Sequence, residues 1–278
     1  MAFGPLVTCE EAARHVDDPS WVFFDCRFEL ADKEKGARDY AKAHIPGAYF
    51  AHTERDLSGP VGNGSRGRHP LPIAFQRFCG VHGIGPATKV VCYDDLGGQW
   101  ASRLWWLLRF HGHRDVAVLD GGLTRWKALG LPLRGNHEKP RAGTTFANPP
   151  GQMPIVQAGD IEAGGVTLFD ARAPERFRGE VEAVDKQKGH IPGARSAPAS
   201  GNVGPDMRFL SPEALRAKFA APTEGKVACY CGSGVTGTQL VLAMEVAGLP
   251  TPALYPGSWS EWIWDGKRPI ETGPAVVA

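Results

Sequence analysis

The chain carries the same signposts twice. Asp25-Cys-Arg27 is followed by His44-Ile-Pro-Gly-Ala48, and Asp170-Ala-Arg172 by His190-Ile-Pro-Gly-Ala194, at spacings of 145 (25 to 170) and 146 (44 to 190) residues. Further on, Val91-Cys-Tyr93 recurs as Ala228-Cys-Tyr230 (91 to 228, 137 residues), and Gly121…Trp126 as Gly257…Trp262 (121 to 257, 136 residues). The order is kept and the drift is small, which marks duplication of a unit of about 140 residues. A chain of 278 residues then has room for two similar domains, each with its own core.

Each copy alternates strand and helix signals. In the first, Thr8-Cys-Glu-Glu11 is a capping box that opens a helix. Trp21–Phe24, Lys89–Tyr93 and Val116–Leu119 are apolar strand runs, and Gln99–Phe110 carries Trp100, Leu104, Leu107 and Leu108 at helical spacing. The second copy supplies strands at Thr167–Phe169, Val227–Tyr230 and Ala253–Tyr255, and a helix start at Ser211-Pro-Glu. Such alternation predicts a mainly parallel sheet flanked by helices in each half, an α/β class protein. The polar, Pro- and Gly-rich stretch around 139–153 is the expected linker between an N-terminal domain, 1–138, and a C-terminal domain, 154–278.

Bulk properties narrow the function classes. A net charge of +1 gives no sign of a nucleic-acid partner. No apolar run approaches the roughly 20 residues a bilayer span needs, so no membrane partner is expected. The first residues, MAFGPLVTCEEAARHVDD, lack the basic-then-apolar order of a secretory signal. The six cysteines, at 9, 26, 79, 92, 229 and 231, form no Cys-x-x-Cys pair, so no metal site is expected; no organic cofactor is indicated either. Reduced thiols in a chain of this length point to a cytoplasmic protein.

Ligands of open α/β sheets sit at the carboxyl ends of the strands. In the second copy that place is ACYCGSGVTGT, residues 228–238, between a strand signal and the apolar helix signal 239–247. Cys231 stands where the strand ends, and Gly232, Ser233, Gly234, Val235 and Thr236 bend around it. Backbone amides converging on the sulfur, with a helix N-terminus behind them, favour thiolate over a thiol whose unperturbed pKa is about 8.5. Cys229, inside the strand, is expected in the core. The residue corresponding to Cys231 in the first copy is Asp94, so that copy has no nucleophile and the site belongs to the second domain.

A Cys-Gly-Ser-Gly-Val-Thr loop after a strand, in a duplicated chain with HIPGA in each half, resembles the tandem-domain rhodanese family of sulfurtransferases, in particular its mercaptopyruvate-using branch. The resemblance implies two tandem rhodanese-like domains, a catalytic C-terminal one, and sulfur carried as a persulfide on Cys231. It implies a small-molecule sulfur donor, 3-mercaptopyruvate, with thiosulfate as the alternative. The acceptor would be a small thiol, cyanide or a thioredoxin-like protein; a further alternative is a carrier module that accepts sulfur without turnover. Arg176 matches the arginine that grips the donor carboxylate, a task suited to its planar fork. A second family arginine, just before the HIPG turn, is replaced by Asp185-Lys-Gln-Lys-Gly189, leaving Lys186, and then Lys188, as substitutes. The family's serine–histidine–acid set falls on Ser233, His69 and Glu54, with Asp56 close by.

Other features carry less. A cysteine phosphatase loop ends in an arginine six residues after its cysteine, and here that position is Gly237. His44 and His190 repeat although the nucleophile does not, which suits a role in the turn, and Asp25 and Asp170 are read in the same way. Trp100, Trp105, Trp106, Trp259, Trp262 and Trp264 are expected to fill cores and the domain interface.

Overall fold

The computed structural model describes residues 3–62, 66–220 and 225–274. The chain divides into two compact units: unit 1 is Met1–Gly59, Pro72–Met153 and Val203–Phe209; unit 2 is Pro60–Leu71, Pro154–Asn202 and Leu210–Ala278. Two short segments thus belong to the unit opposite to the one chain order suggests. Hydrogen bonds account for both. The Arg68 amide donates to Ser260 Oγ at 3.1 Å, and the Phe209 amide donates to Asp120 Oδ1 at 2.8 Å.

Unit 1 contains β1 (Leu6–Thr8), α1 (Cys9–Ala12), β2 (Trp21–Asp25), α2 (Lys35–Lys42), β3 (Ala48–Phe50), α3 (Phe75–Val81), β4 (Lys89–Tyr93), α4 (Ala101–Phe110), β5 (Val116–Asp120) and α5 (Gly122–Ala128). Its five strands run in the order β1-β5-β4-β2-β3, and every pair is parallel. Thr8 Oγ1 caps α1 by accepting the Glu11 amide at 3.1 Å, as the capping pattern requires. Residues 139–153 form no helix or strand. They lie along unit 1, where Thr144 donates its amide to the Gly80 carbonyl and Arg141 donates to that of Trp21.

Unit 2 contains α6 (Ala158–Glu162), β6 (Val166–Asp170), α7 (Pro174–Phe177), β7 (Arg195–Ser196), α8 (Pro212–Lys218), β8 (Lys226–Tyr230), α9 (Gly237–Val246), β9 (Ala253–Leu254) and α10 (Ser258–Trp262). The parallel sheet has the order β7-β6-β8-β9, and a parallel bridge from Ile155 to Leu254 continues it where β1 stands in unit 1. β2 and, beyond Lys89, β4 are buried on both faces, which is why they read as nearly unbroken apolar runs.

The repeated motifs do the same structural work in each unit. Arg27 forks onto Asp25 and donates to the Ala43 carbonyl; Arg172 forks onto Asp170 and donates to the Gly189 carbonyl. The His44 ring stacks on Tyr40 at 4.1 Å and the His190 ring on Phe177 at 3.7 Å, each Nδ1 bonded to a backbone carbonyl. The next amide in each motif, Ile45 or Ile191, donates to the hydroxyl of Tyr93 or Tyr230. Trp105, Trp106, Trp259 and Trp262 are buried, whereas Trp264 is 51% exposed and fills no core.

Candidate active site

Cys231 follows β8 directly, so its position is set by a strand whose ladder to β6 is complete from Val166 to Asp170. Its carbonyl accepts the Trp259 amide at 3.0 Å, and its amide donates to Ser258 Oγ at 3.1 Å. Ser258 in turn donates to the Tyr255 carbonyl, and does so from a left-handed backbone (φ 52°) that only a close-packed loop imposes on a non-glycine residue. Sequence inspection did not single out Ser258. The available signal was the repeat, which sets Ser258 opposite Gly122, also left-handed at φ 54°.

The loop then curls back over the sulfur. The Gly234 amide donates to Cys231 Sγ at 3.2 Å. This requires φ 79° at Gly234, and a Cβ there would stand 2.2 Å from the Pro256 carbonyl oxygen, so only glycine fits. Val235 is buried and its carbonyl accepts both the amide and the hydroxyl of Thr238, while Thr236 is the N-terminal cap position of α9. The sulfur therefore lies at the mouth of a ten-residue helix with an amide directed at it. Cys231 is nearly buried, at 3% exposure. Two residues back, burial pushes the Cys229 thiol up and leaves it neutral.

The corresponding loop of unit 1 shows what such a turn holds. Asp94 accepts four backbone amides, from Leu96, Gly98, Trp100 and Ala101, at 2.7–2.9 Å. Burial pushes this carboxyl upward, and those four amides oppose it. The position of Cys231 is taken in unit 1 by a carboxyl group that satisfies the loop.

Ser233 and His69 meet in unit 2: Ser233 Oγ lies 2.7 Å from His69 Nδ1, and both side chains are buried. Although His69 precedes α3 in the chain, segment 60–71 delivers it to the second unit. Glu54 is in unit 1, where its carboxylate pairs with Lys33 Nζ at 2.8 Å; Asp56 accepts the His52 amide.

Arg176 lies on α7, one residue before Phe177, whose ring is locked in the core against His190. Successive helical residues point about 100° apart, so anchoring Phe177 directs Arg176 out of the core. Its guanidinium forks onto Glu182 at 2.9–3.1 Å and donates to Asp185 Oδ2 at 3.0 Å. Glu182 is itself fixed: against the burial that opposes ionisation, the amides of Asp185 and Val184 and the Arg176 guanidinium hold it below the usual carboxylate range.

The second cation differs from the expectation. Lys186 Nζ lies over the Trp264 ring, 6.0 Å from its centroid, because its neighbour Asp185 takes the inward-facing position. Lys188 donates to the Glu180 carbonyl. The cation that stands beside Gly232 is Arg68. Its Nη1 pairs with Asp185 Oδ1, and its Nη2 would lie 2.9 Å from a Cβ placed on Gly232. Arg176 Nη2 and Asp185 Oδ2 both lie 3.6 Å from the same point. Sequence gave little reason to choose Arg68 except its adjacency to His69.

Comparison with known proteins places the chain in a family. The rhodanese-like domain model matches twice, over residues 8–129 and 157–264. The chain belongs to the rhodanese-like family. It is 45% identical over 284 residues, 98% of this chain and 100% of its relative, to a Pseudomonas aeruginosa protein named a probable 3-mercaptopyruvate sulfurtransferase. It is 34% identical over 270 residues, 91% of this chain and 88% of its relative, to the thiosulfate sulfurtransferase of Bos taurus. Among solved structures, the 3-mercaptopyruvate sulfurtransferase from Leishmania major superposes with a TM-score of 0.82 at 32% identity, covering 93% of this chain and 74% of the other. Among the described residues, no helix is long and apolar enough to cross a membrane, and no cluster of three or more His, Cys, Asp or Glu side chains could hold a metal ion.

Proposed function

We propose that the protein is a sulfurtransferase that takes a sulfane sulfur from 3-mercaptopyruvate through a Cys231 persulfide. The observation that carries the donor assignment is the pair of guanidinia, Arg68 and Arg176, gathered beside Gly232 around a carboxylate. A pair that grips an internal carboxylate suits a donor bearing one, with the reacting sulfur over Cys231. Gly232 and Ser233 themselves bring no cation to the sulfur, as a dianionic donor would favour.

In the first half-reaction Cys231 thiolate attacks the donor sulfur. The new S–S bond forms, the donor's C–S bond breaks, and its electron pair passes into the enolate of pyruvate. Ser233 Oγ–H donates to the developing enolate oxygen while His69 Nδ1–H donates to Ser233, a relay that also returns the proton needed to make pyruvate. The Gly234 amide stabilises the negative sulfur before and after transfer. In the second half-reaction an acceptor thiolate, or cyanide, attacks the outer sulfur and Cys231 leaves as thiolate, giving ping-pong kinetics. The six free cysteines support a reducing, cytoplasmic setting for such an acceptor.

Intact-mass measurement after exposure to mercaptopyruvate should find one added sulfur on the peptide bearing Cys231, and Cys231→Ser should find none. Sulfur added to the serine variant would end the proposal. A higher kcat/KM with thiosulfate would overturn the donor assignment alone, and a single labelling event with no steady-state turnover would mark a carrier.

A further inference from the structure

The carboxylate between the two arginines is part of the chain. We propose that Asp185 is a resident latch that occupies the place of the donor's carboxylate, must be displaced for the donor to bind, and sets the charge the site accepts. This rests on the reading of the Arg68–Arg176 pair as the donor's anchor.

The roles of the two acids in the cluster differ. Glu182 is 2% exposed, forks onto Arg176 and accepts the amides of Val184 and Asp185, so it is built into the fold. Asp185 is held by side chains alone, one oxygen on Arg68 and one on Arg176. Burial pushes its carboxyl upward and Glu182 adds to that, against the two arginines, so it is the less comfortable of the two anions. Arg176 keeps its Glu182 fork if Asp185 leaves. The Arg68 backbone is fixed by the hydrogen bond from its amide to Ser260 Oγ. Its guanidinium, whose buried Nε has no acceptor among the described residues, needs a new carboxylate when Asp185 leaves.

The segment bearing Asp185 is a loop closed at its neck and held at Glu182 and Gln187, so Asp185 leaves by turning its side chain away. Residues 179–189 contain no helix or strand, and Val181 and Val184 on it are exposed. Its two ends meet: a Cβ on Gly179 would lie 3.2 Å from the Gly189 amide nitrogen, and both glycines have positive φ. That is the closed neck of an Ω-loop.

Charge then decides what replaces Asp185. Arg68 and Arg176 are balanced by Glu182 and Asp185, and Arg172 by Asp170. Moving Asp185 out leaves one net positive charge. A monocarboxylate restores neutrality there, whereas a dianion such as thiosulfate adds an excess negative charge that the displaced Asp185 carboxylate, still on the adjoining loop, repels about twice as strongly as it repels a monoanion. Asp185 is thus a specificity-determining residue.

Calorimetric binding of two non-reacting anions, pyruvate and sulfate, to wild type, Asp185→Ala and the shape-preserving Asp185→Asn tests this without relying on turnover. Pyruvate should bind about tenfold tighter to both variants, corresponding to about 1.4 kcal/mol, and sulfate should gain more than pyruvate. Unchanged or weaker binding of pyruvate to the Asn variant would show that Asp185 organises the arginines and is no latch. Equal gains for both anions would overturn its role in charge selection. Turnover of mercaptopyruvate by the wild type, measured beside it, judges the underlying activity separately.

Discussion

His69 Nδ1 lies 2.7 Å from Ser233 Oγ, joining a loop that precedes α3 in the chain to the turn that holds Cys231. If this pair supplies the proton to the departing enolate, its removal hurts only a donor whose leaving group needs one. His69→Asn should lower kcat for mercaptopyruvate about 100-fold, the lower end of what general acid–base groups contribute. Thiosulfate leaves sulfite, which departs as a stable anion, so its turnover by the same variant should change little. Stopped-flow persulfide formation with each donor measures both, and equal losses would remove the proton-relay role.

Arg176 and Arg68 should act on binding more than on chemistry. Arg176→Ala is expected to raise KM for mercaptopyruvate about tenfold or more with a smaller effect on kcat, as loss of uniform binding does. Gly232→Ala tests Arg68 from the other side. Its Cβ would stand 2.9 Å from Arg68 Nη2, the free end of a flexible chain, so the guanidinium must move aside. A severalfold rise in KM is expected, and an unchanged KM would detach Arg68 from the donor.

The halves of the chain differ in how much of this was open to inspection. The strands at Lys89–Tyr93 and Trp21–Asp25 were legible because burial on both faces leaves an unbroken apolar run. The place of Cys231, directly after β8 and ahead of α9, was legible because an apolar run, a glycine-rich turn and a second apolar run follow one another in the chain. Arg68 and Asp185 were not. Each depends on a long-range pairing 117 residues apart, and neither sequence neighbourhood carries a period or a motif that names its partner. Lys186 sits near the family's position in sequence, whereas the inward turn of Asp185 sends it to the Trp264 ring. Likewise, segments 60–71 and 203–209 are polar stretches whose hydrogen bonds, not their composition, assign them to a unit.

Asp94 is predicted to be worth more to stability than any exposed acid of the protein. Asp94→Ala would strip the acceptor from four buried amides, each costing about 1 kcal/mol or more when left unpaired. Unfolding free energy of unit 1 should fall by about 3 kcal/mol, seen as a lower denaturant midpoint at an unchanged slope. Asp94→Asn, keeping one strong acceptor, should lose less. A loss under about 0.5 kcal/mol, typical of an ordinary surface site, would mean that the loop does not depend on its internal anion.

Lys218 gives the molecule a pH signature apart from catalysis. Its ammonium is half-buried beneath α8, donates to the Pro198 carbonyl and adjoins Asn202, which donates to Gln239 of α9. Burial lowers this lysine from 10.5 to about 8. Below pH 8 both folded and unfolded chains carry the proton, and the folded one bears the full cost of a desolvated charge. Between pH 8 and 10.5 the unfolded chain binds more protons than the native one, so stability from this group rises with pH until the cost is gone. Lys218→Met has no such group. Its stability relative to wild type should therefore decline steadily as pH is raised from 8 to 10. Chemical denaturation of the two proteins at matched pH values reads this directly, and a difference that stays flat across the window would place the Lys218 ammonium in water.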